Sequence, residues 1–268
     1  MKDIDIYLSG KCLYGDDFKD KELEKWYIDE KEGFAELYAK NKATYKYVYH
    51  TLNKLYGFNY LSKQYYKNVL GLGSAFGDEF LPIISRIKYL TIVDPSDAYT
   101  GDHVYGIPCR YIKPSIAGIL PFDNNTFDLI CCHGVLHHIP NVSTVIKELA
   151  RCLTNNGVIL IREPIVSMGD WTKPRHGLTK RERGIPLDIF LDIIDNTELR
   201  VYHQSLCMFP IIPLVCNRFG ILPYNSYIFT WIDKHLSKIF LWNLRYHPRS
   251  FFHKFRPTSI YFVLTKKY

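Results

Sequence analysis

The chain has 268 residues, 47% of them apolar and 23% charged, with seven cysteines and a net charge of +7. These values exclude wholesale disorder, collagen-like repeats and coiled coil, and the length suits one elaborated α/β domain or a domain with a subdomain. Charges at Lys2, Asp3 and Asp5 predict no apolar leader, and no CxxC pair or Cys/His spacing suits zinc, so the cysteines read as buried reduced thiols of a cytosolic protein with no metal.

The charge is concentrated near one end. Residues 201–268 hold nine Lys/Arg against the single acid Asp233, together with aromatics such as Trp231, Trp242, Phe251 and Phe252. A basic, aromatic segment on a neutral body points to a phosphate-bearing or membrane-surface partner.

In chain order, residues 1–67 read as a helical cap, dense in Glu and Lys over 19–40 and rich in tyrosine over 45–66. A short apolar run over 68–73, read as a strand, ends in glycines, and a helical pattern resumes over 78–86. Further strands are expected at 89–94, 109–113 and 127–132. An amphipathic helix over 142–153 carries Val145, Leu149 and Leu153 on one face, and Asn155-Asn156-Gly157 ends it before a strand at 158–161. A helix at 187–195 and strands at 199–205 and 258–265 complete the pattern. Short apolar runs alternating with helices mean parallel βαβ units, and hence a doubly wound, mostly parallel sheet covered on both faces.

Gly71-Leu72-Gly73-Ser74-Ala75-Phe76-Gly77 lies between a predicted strand and a predicted helix, where glycines permit a sharp turn and close approach of a ligand. Asp94, seventeen positions after Gly77, ends the next strand, where a carboxylate can accept both hydroxyls of a ribose. The alternative is a tight packing turn and a solvated acid.

At these residues the sequence resembles the class I S-adenosylmethionine-dependent methyltransferases, in particular the small-molecule group called type 11. The resemblance runs through Val69-Leu70-Gly71-Leu72-Gly73, Val93-Asp94-Pro95-Ser96, the block from Leu120-Pro121-Phe122 to Leu129-Ile130, Val135-Leu136-His137-His138-Ile139, and Glu148-Leu149-Ala150-Arg151 with Gly157-Val158-Ile159-Leu160-Ile161. It implies a Rossmann-like, seven-stranded sheet and S-adenosylmethionine as cofactor, held at Gly71, Gly73, Ser74, Gly77, Asp94 and Pro95, with His133 at a cofactor-contacting position. The core then spans 68–208 and 257–268, interrupted by an insertion at 209–256 before the last strand. Two departures stand out. The family's usual acid is replaced by Gly71, which predicts weaker cofactor binding, and apolar residues around Ile116 and Ala117 replace an acid near the adenine.

Methyl transfer asks the protein to position an acceptor and exclude water, and a hydroxyl acceptor also gains from a general base. His137, His138 and Glu163 are the candidates at the strand ends; the bland alternatives are loop orientation for the histidines and pairing with Arg162 or the loop arginines for Glu163. The loop 171–184 carries five cations and one acid, so Arg175, His176 and Arg181 are expected to bind an acidic acceptor such as a nucleotide-sugar, a sugar phosphate or a lipid-linked glycan; a solvated charge run is the alternative. The insertion offers Phe229, Ile232, Leu236, Phe240 and Trp242 to an apolar helix face, with Lys234 and Lys238 elsewhere, as a lid, a homodimer patch or a peripheral contact at the inner membrane surface. The leading expectation is a methyltransferase acting on a small or carrier-linked acceptor, with O-methylation of a sugar in glycan synthesis as its concrete form. Lipid or quinone methylation and a non-catalytic partner subunit are the alternatives. A nucleic-acid substrate is disfavoured because no Asn/Asp-Pro-Pro-aromatic stretch follows the fourth strand.

Overall fold

The computed structural model describes residues 4–267, so Lys2, Asp3 and Tyr268 lie outside the described residues. Its centre is one eight-stranded sheet built from β1 (Tyr66–Leu72), β2 (Ile87–Val93), β3 (His103–Val104), β4 (Ile107–Ile112), β5 (Phe127–His133), β6 (Leu153–Pro164), β7 (Leu199–Cys207) and β8 (Ser259–Lys266), in the order β3-β4-β2-β1-β5-β6-β8-β7. Five strands from β4 to β6 run parallel, and β8 inserts antiparallel between β6 and β7. The doubly wound class expected from the sequence is present, with one strand more. The extra strand is the two-residue β3, which pairs with β4 across the Tyr105-Gly106 turn; two residues carry too little periodicity to be read in advance.

Strand order reverses between β1 and β5, and that reversal opens a crevice at the carboxyl ends of the parallel strands. The sheet stays rigid there because both faces are buried. On one face Leu70, Ile130, Cys132 and Ile161 pack under α4 (Val142–Cys152) and α5 (Leu187–Asp195). On the other Val69, Leu129, Cys131 and Leu160 pack with Leu52 and Tyr56 of α3 (His50–Tyr56). Adjacent Cys131 and Cys132 thus serve opposite cores, and all seven cysteines are free. In α4, Ile146 and Leu149 are fully buried; burial of each such side chain is worth about 2 kcal/mol.

Local chemistry explains the differences from the expected elements. Residues Asp78–Arg86 form a 3-10 segment rather than an α-helix, since Pro82 sits inside it and cannot donate to the preceding turn. The break predicted at 155–157 lies within β6, which follows α4 directly; its pairing with β5 jumps from Phe127↔Leu153 to Leu129↔Val158, so the polar residues between bulge out. The amino-terminal cap is less helical than expected: α1 (Ile4–Leu8), α2 (Asp20–Glu30), a π-turn (Ala35–Ala39) and α3 are joined by irregular chain.

The 209–256 segment folds into α6 (Ile211–Arg218) and α7 (Tyr227–Ile239), around a small core of Phe209, Ile212 and Cys216 joined by Phe229, Ile232, Leu236 and Phe240. Buried Asp233 accepts hydrogen bonds from the backbone N–H groups of Met208 (2.9 Å) and Phe209 (2.7 Å), which ties α7 to the end of β7. Trp242, expected on the apolar packing face, is instead 74% exposed. Among the described residues no helix is long and apolar enough to cross a membrane.

Candidate active site

A cavity of about 740 Å³ occupies the crevice, lined on the amino-terminal side by tyrosines, Trp26 and the single acid Glu30. At one end β1 turns through Gly73, whose φ of +61° and contact with Val135 leave no room for a side chain. Its N–H donates to Val93 O at 2.8 Å, holding the turn beside the tip of β2. There Asp94 lines the cavity and accepts N–H from Ala75 (3.2 Å) and Ser96 (3.0 Å). Burial outweighs these donors and pushes its pKa up to about 6.

Of the residues expected to hold the cofactor, Gly73, Ser74, Asp94, Pro95 and His133 line the cavity, whereas Gly71 and Gly77 do not. A Cβ at Gly71 would collide with Ser74 and Phe80, while Gly77, at φ +77°, packs against Val104. These two glycines shape the turn and touch nothing in the crevice. No acid stands at Gly71, but sequence reading overlooked one that lies nearby in the fold. Buried Glu79 lines the cavity, accepts the Ser74 hydroxyl at 2.6 Å and meets His133 Nδ1 at 3.0 Å. The other nitrogen of His133 meets the Tyr261 hydroxyl at 2.8 Å, so both ring positions are engaged.

The opposite wall is the 3-10 turn Leu136–His138. Buried Glu163 accepts N–H from Val135 (2.7 Å) and Leu136 (2.8 Å) and contacts His137 Nδ1 at 2.7 Å. That makes it an anchor of the turn, and the expected pairing with Arg162 is absent because neighbouring strand residues face opposite ways. His137 is bridged at Nε2 to Glu182 at 3.2 Å. Burial opposes its charge, but Glu163 and Glu182 together prevail and lift its pKa to about 9. An imidazolium between two carboxylates cannot serve as a base at neutral pH. Of the three base candidates only His138 retains a ring nitrogen without a hydrogen bond: Nδ1 is held by Glu30 (2.9 Å) and Thr179 (3.1 Å), while Nε2 stands 3.8 Å from Glu182.

The loop cations are placed differently from expectation. Arg175, His176 and Arg181 do not line the cavity. Arg175 donates to the carbonyls of Met168 (3.2 Å), Thr179 (3.0 Å) and Glu182 (2.6 Å), bracing its own loop. Arg181 pairs with Asp29 at 2.7 Å, and His176 is exposed. Arg183, fully buried, donates to the carbonyls of Tyr14, His137, Ile139 and Pro140 and so fixes the histidine turn. Burial lowers its pKa to about 10.

The cation that does face the cavity is Arg162, near the end of β6 and 5% exposed. Its guanidinium lies 3.9 Å over the Tyr49 ring, Nη1 reaches only the Met208 sulfur at 3.8 Å, and Nε has no partner. No carboxylate pairs with it among the described residues. The sequence signal was an arginine directly after the apolar run Val158-Ile159-Leu160-Ile161, where a charge has no packing purpose.

The chain and its fold have counterparts among known proteins. Residues 70–161 match the methyltransferase domain family of type 11. An uncharacterized protein of Methanocaldococcus jannaschii, MJ0638, is 32% identical over 128 residues, covering 45% of this chain and 52% of that protein, so the chain spans about half the length of the curated relative it matches. Among solved structures, YcgJ of Bacillus subtilis superposes with a TM-score of 0.50 at 15% identity, over 82% of this chain and 99% of that one. A Leishmania major S-adenosylmethionine-dependent methyltransferase gives 0.54 at 12% identity, over 91% and 82%. A chain from the Haloferax volcanii complex of the Trm112 activator with a methyltransferase gives 0.54 at 12%, over 94% and 100%. At such identities the structures show the shared fold. Residues 70–161 thus match a methyltransferase domain, set in a sheet with the fold of solved S-adenosylmethionine-dependent methyltransferases.

Proposed function

We propose that the protein methylates a small or carrier-linked acceptor that bears an anionic group and a hydroxyl, an acidic sugar or sugar phosphate being the form closest to this chemistry. Gly73 leaves space for a nucleoside, Asp94 offers a carboxylate to its ribose, and the cavity volume lies in the range of ligand pockets; these residues fit S-adenosylmethionine. The cofactor supplies a methyl group on a sulfonium and leaves as the thioether S-adenosylhomocysteine. The chain's part is to exclude water, hold the acceptor and receive the hydroxyl proton, for which His138 Nε2 is the available atom.

Arg162 carries the reading. An unpaired guanidinium buried in a protein costs several kcal/mol, and this one faces the cavity with unused donors. Its planar fork matches a carboxylate or phosphate, and the rings of Tyr27 and Tyr38 also line the cavity, aromatic surface of the kind that packs on a sugar ring. The test is calorimetric titration with glucuronate and glucose 6-phosphate against neutral glucose, in the presence of S-adenosylhomocysteine. Binding of the acidic probes, weakened at least tenfold in Arg162→Gln and partly restored in Arg162→Lys, is the expected result. Equal affinity for the neutral sugar refutes the reading.

A second reading places the acceptor on a lipid. Its support is the 209–256 segment, where Leu214, Phe219, Trp242 and Phe252 are each more than 70% exposed beside Lys234, Lys238 and Lys254.

A further inference from the structure

Two histidines and a glutamate from distant parts of the chain converge on the cavity wall. His137 Nε2 is 3.2 Å and His138 Nε2 3.8 Å from the same oxygen, Glu182 Oε1. The three ligand atoms all lie within 4.8 Å of one another. Donors about 2.0–2.1 Å from a tetrahedral ion stand roughly 3.4 Å apart, so two edges of the triangle are already near that spacing.

The outer contacts point the same way. His137 Nδ1 meets Glu163 at 2.7 Å and His138 Nδ1 meets Glu30 at 2.9 Å. A carboxylate accepting Nδ1–H leaves Nε2 as the ligating atom, which is the support that metal-binding histidines have, and at His137 the cation takes the place of the proton that Nε2 shares with Glu182 in the empty site, releasing it to solvent. The carboxylates are themselves held: Glu163 by two backbone N–H groups of the turn, Glu30 by the Thr179 hydroxyl at 2.6 Å, and Glu182 by Thr179 N–H at 2.9 Å. Orienting two rings requires two acids; the third is aimed at their free edges.

We propose that His137, His138 and Glu182 bind one divalent d-block cation, zinc or a first-row neighbour, with a further coordination position open to the cavity. Imidazole with a single carboxylate suits these ions better than magnesium or calcium, which favour all-oxygen shells. Three protein ligands with an open position make a site that acts on a bound molecule rather than one that braces a fold. The cation takes the same His138 Nε2 offered above as a proton acceptor, so the two uses exclude each other. The site itself does not depend on the methyl-transfer reading.

Chelator-treated full-length protein titrated with zinc chloride by calorimetry, and with cobalt(II) chloride by visible absorption, tests the site. One equivalent per chain is expected, with the d–d absorption of four-coordinate cobalt. His138→Gln, Glu182→Gln and the outer-contact variant Glu30→Gln each lower zinc affinity at least tenfold, while His176→Gln, at an exposed histidine, leaves it unchanged. Near-ultraviolet circular dichroism checks folding; should Glu182→Gln fail to fold, the half-buried His138 supplies the comparison. The proposal is overturned by the absence of saturable zinc binding, or by equal affinity across all four variants. Titration of the unmodified chain with S-adenosylhomocysteine runs beside these: a protein that binds the nucleoside but no zinc loses the metal site and keeps its transferase reading.

Discussion

On the proposed transferase reading, Asp94 makes cofactor binding depend on pH. Its carboxyl is held at about 6 by burial, above the usual aspartate value near 3.9. In folding, a raised acid adds stability that is present below pH 4 and lost as the pH climbs through 6. Ribose hydroxyls donate to the ionised form, so ligand affinity runs the other way. S-adenosylhomocysteine should bind about tenfold more weakly at pH 5 than at pH 7, and Asp94→Asn should bind weakly with no such slope; a flat profile in the unmodified chain would remove Asp94 from the ribose. Arg162 makes the complementary case of a residue placed at the expense of the empty fold. Arg162→Met is expected to raise the melting temperature of the ligand-free protein, by on the order of 1 kcal/mol of stability, while abolishing binding of the acidic probes. Both residues sit at strand tips, yet only Asp94 was legible in the sequence. A strand that ends in an acid after a glycine turn repeats a known geometry, whereas the value of Arg162 lies in the partners it lacks.

At the scale of elements, the 171–184 loop shows how charge can mislead. Five cations in fourteen residues suggested a surface for an acidic ligand, but backbone carbonyls consume two of them. Arg183 satisfies carbonyls on both sides of the histidine turn, so Arg183→Met should cost about 3 kcal/mol or more, because several buried acceptors lose a charged donor together. Arg175→Ala should cost about 1–3 kcal/mol by the same route. Arg181→Ala, which breaks a partly exposed pair with Asp29, should cost no more than about 1 kcal/mol. Chemical denaturation of the three variants checks the ranking. Strands β1, β2, β5 and β6 were readable because their apolar runs are continuous. The site's second half was not, since Glu30, Glu79, Arg162 and Glu182 meet only after the chain folds. No local period records that Glu182 will face a histidine 45 positions earlier.

For the molecule as a whole, the contrast between the sealed sheet and the 209–256 segment matters most. α7 turns Thr230, Asp233 and Ser237 inward and leaves Tyr227, Ile228, Trp231 and Ile239 outside. Vesicles containing phosphatidylglycerol should sediment the protein and pure phosphatidylcholine should not, with Trp242→Glu and Phe252→Glu each weakening the association about tenfold or more. Concentration-dependent dimerisation without vesicle binding would assign the same face to a second copy of the chain.

The roof of the cavity has a kinetic consequence. Tyr38 reaches Gly177 O, Lys180 and Arg181 grip Asp29, and Glu32 takes the Ser96 hydroxyl at 2.6 Å, so one flap of the chain is latched at both ends of the ligand chamber. On the proposed transferase reading, departure of spent nucleoside is expected to wait on the parting of those latches. Since Lys180 is solvent-facing, its grip weakens with ionic strength; stopped-flow release of S-adenosylhomocysteine should quicken as salt is added, and Asp29→Asn should release it fast at any salt.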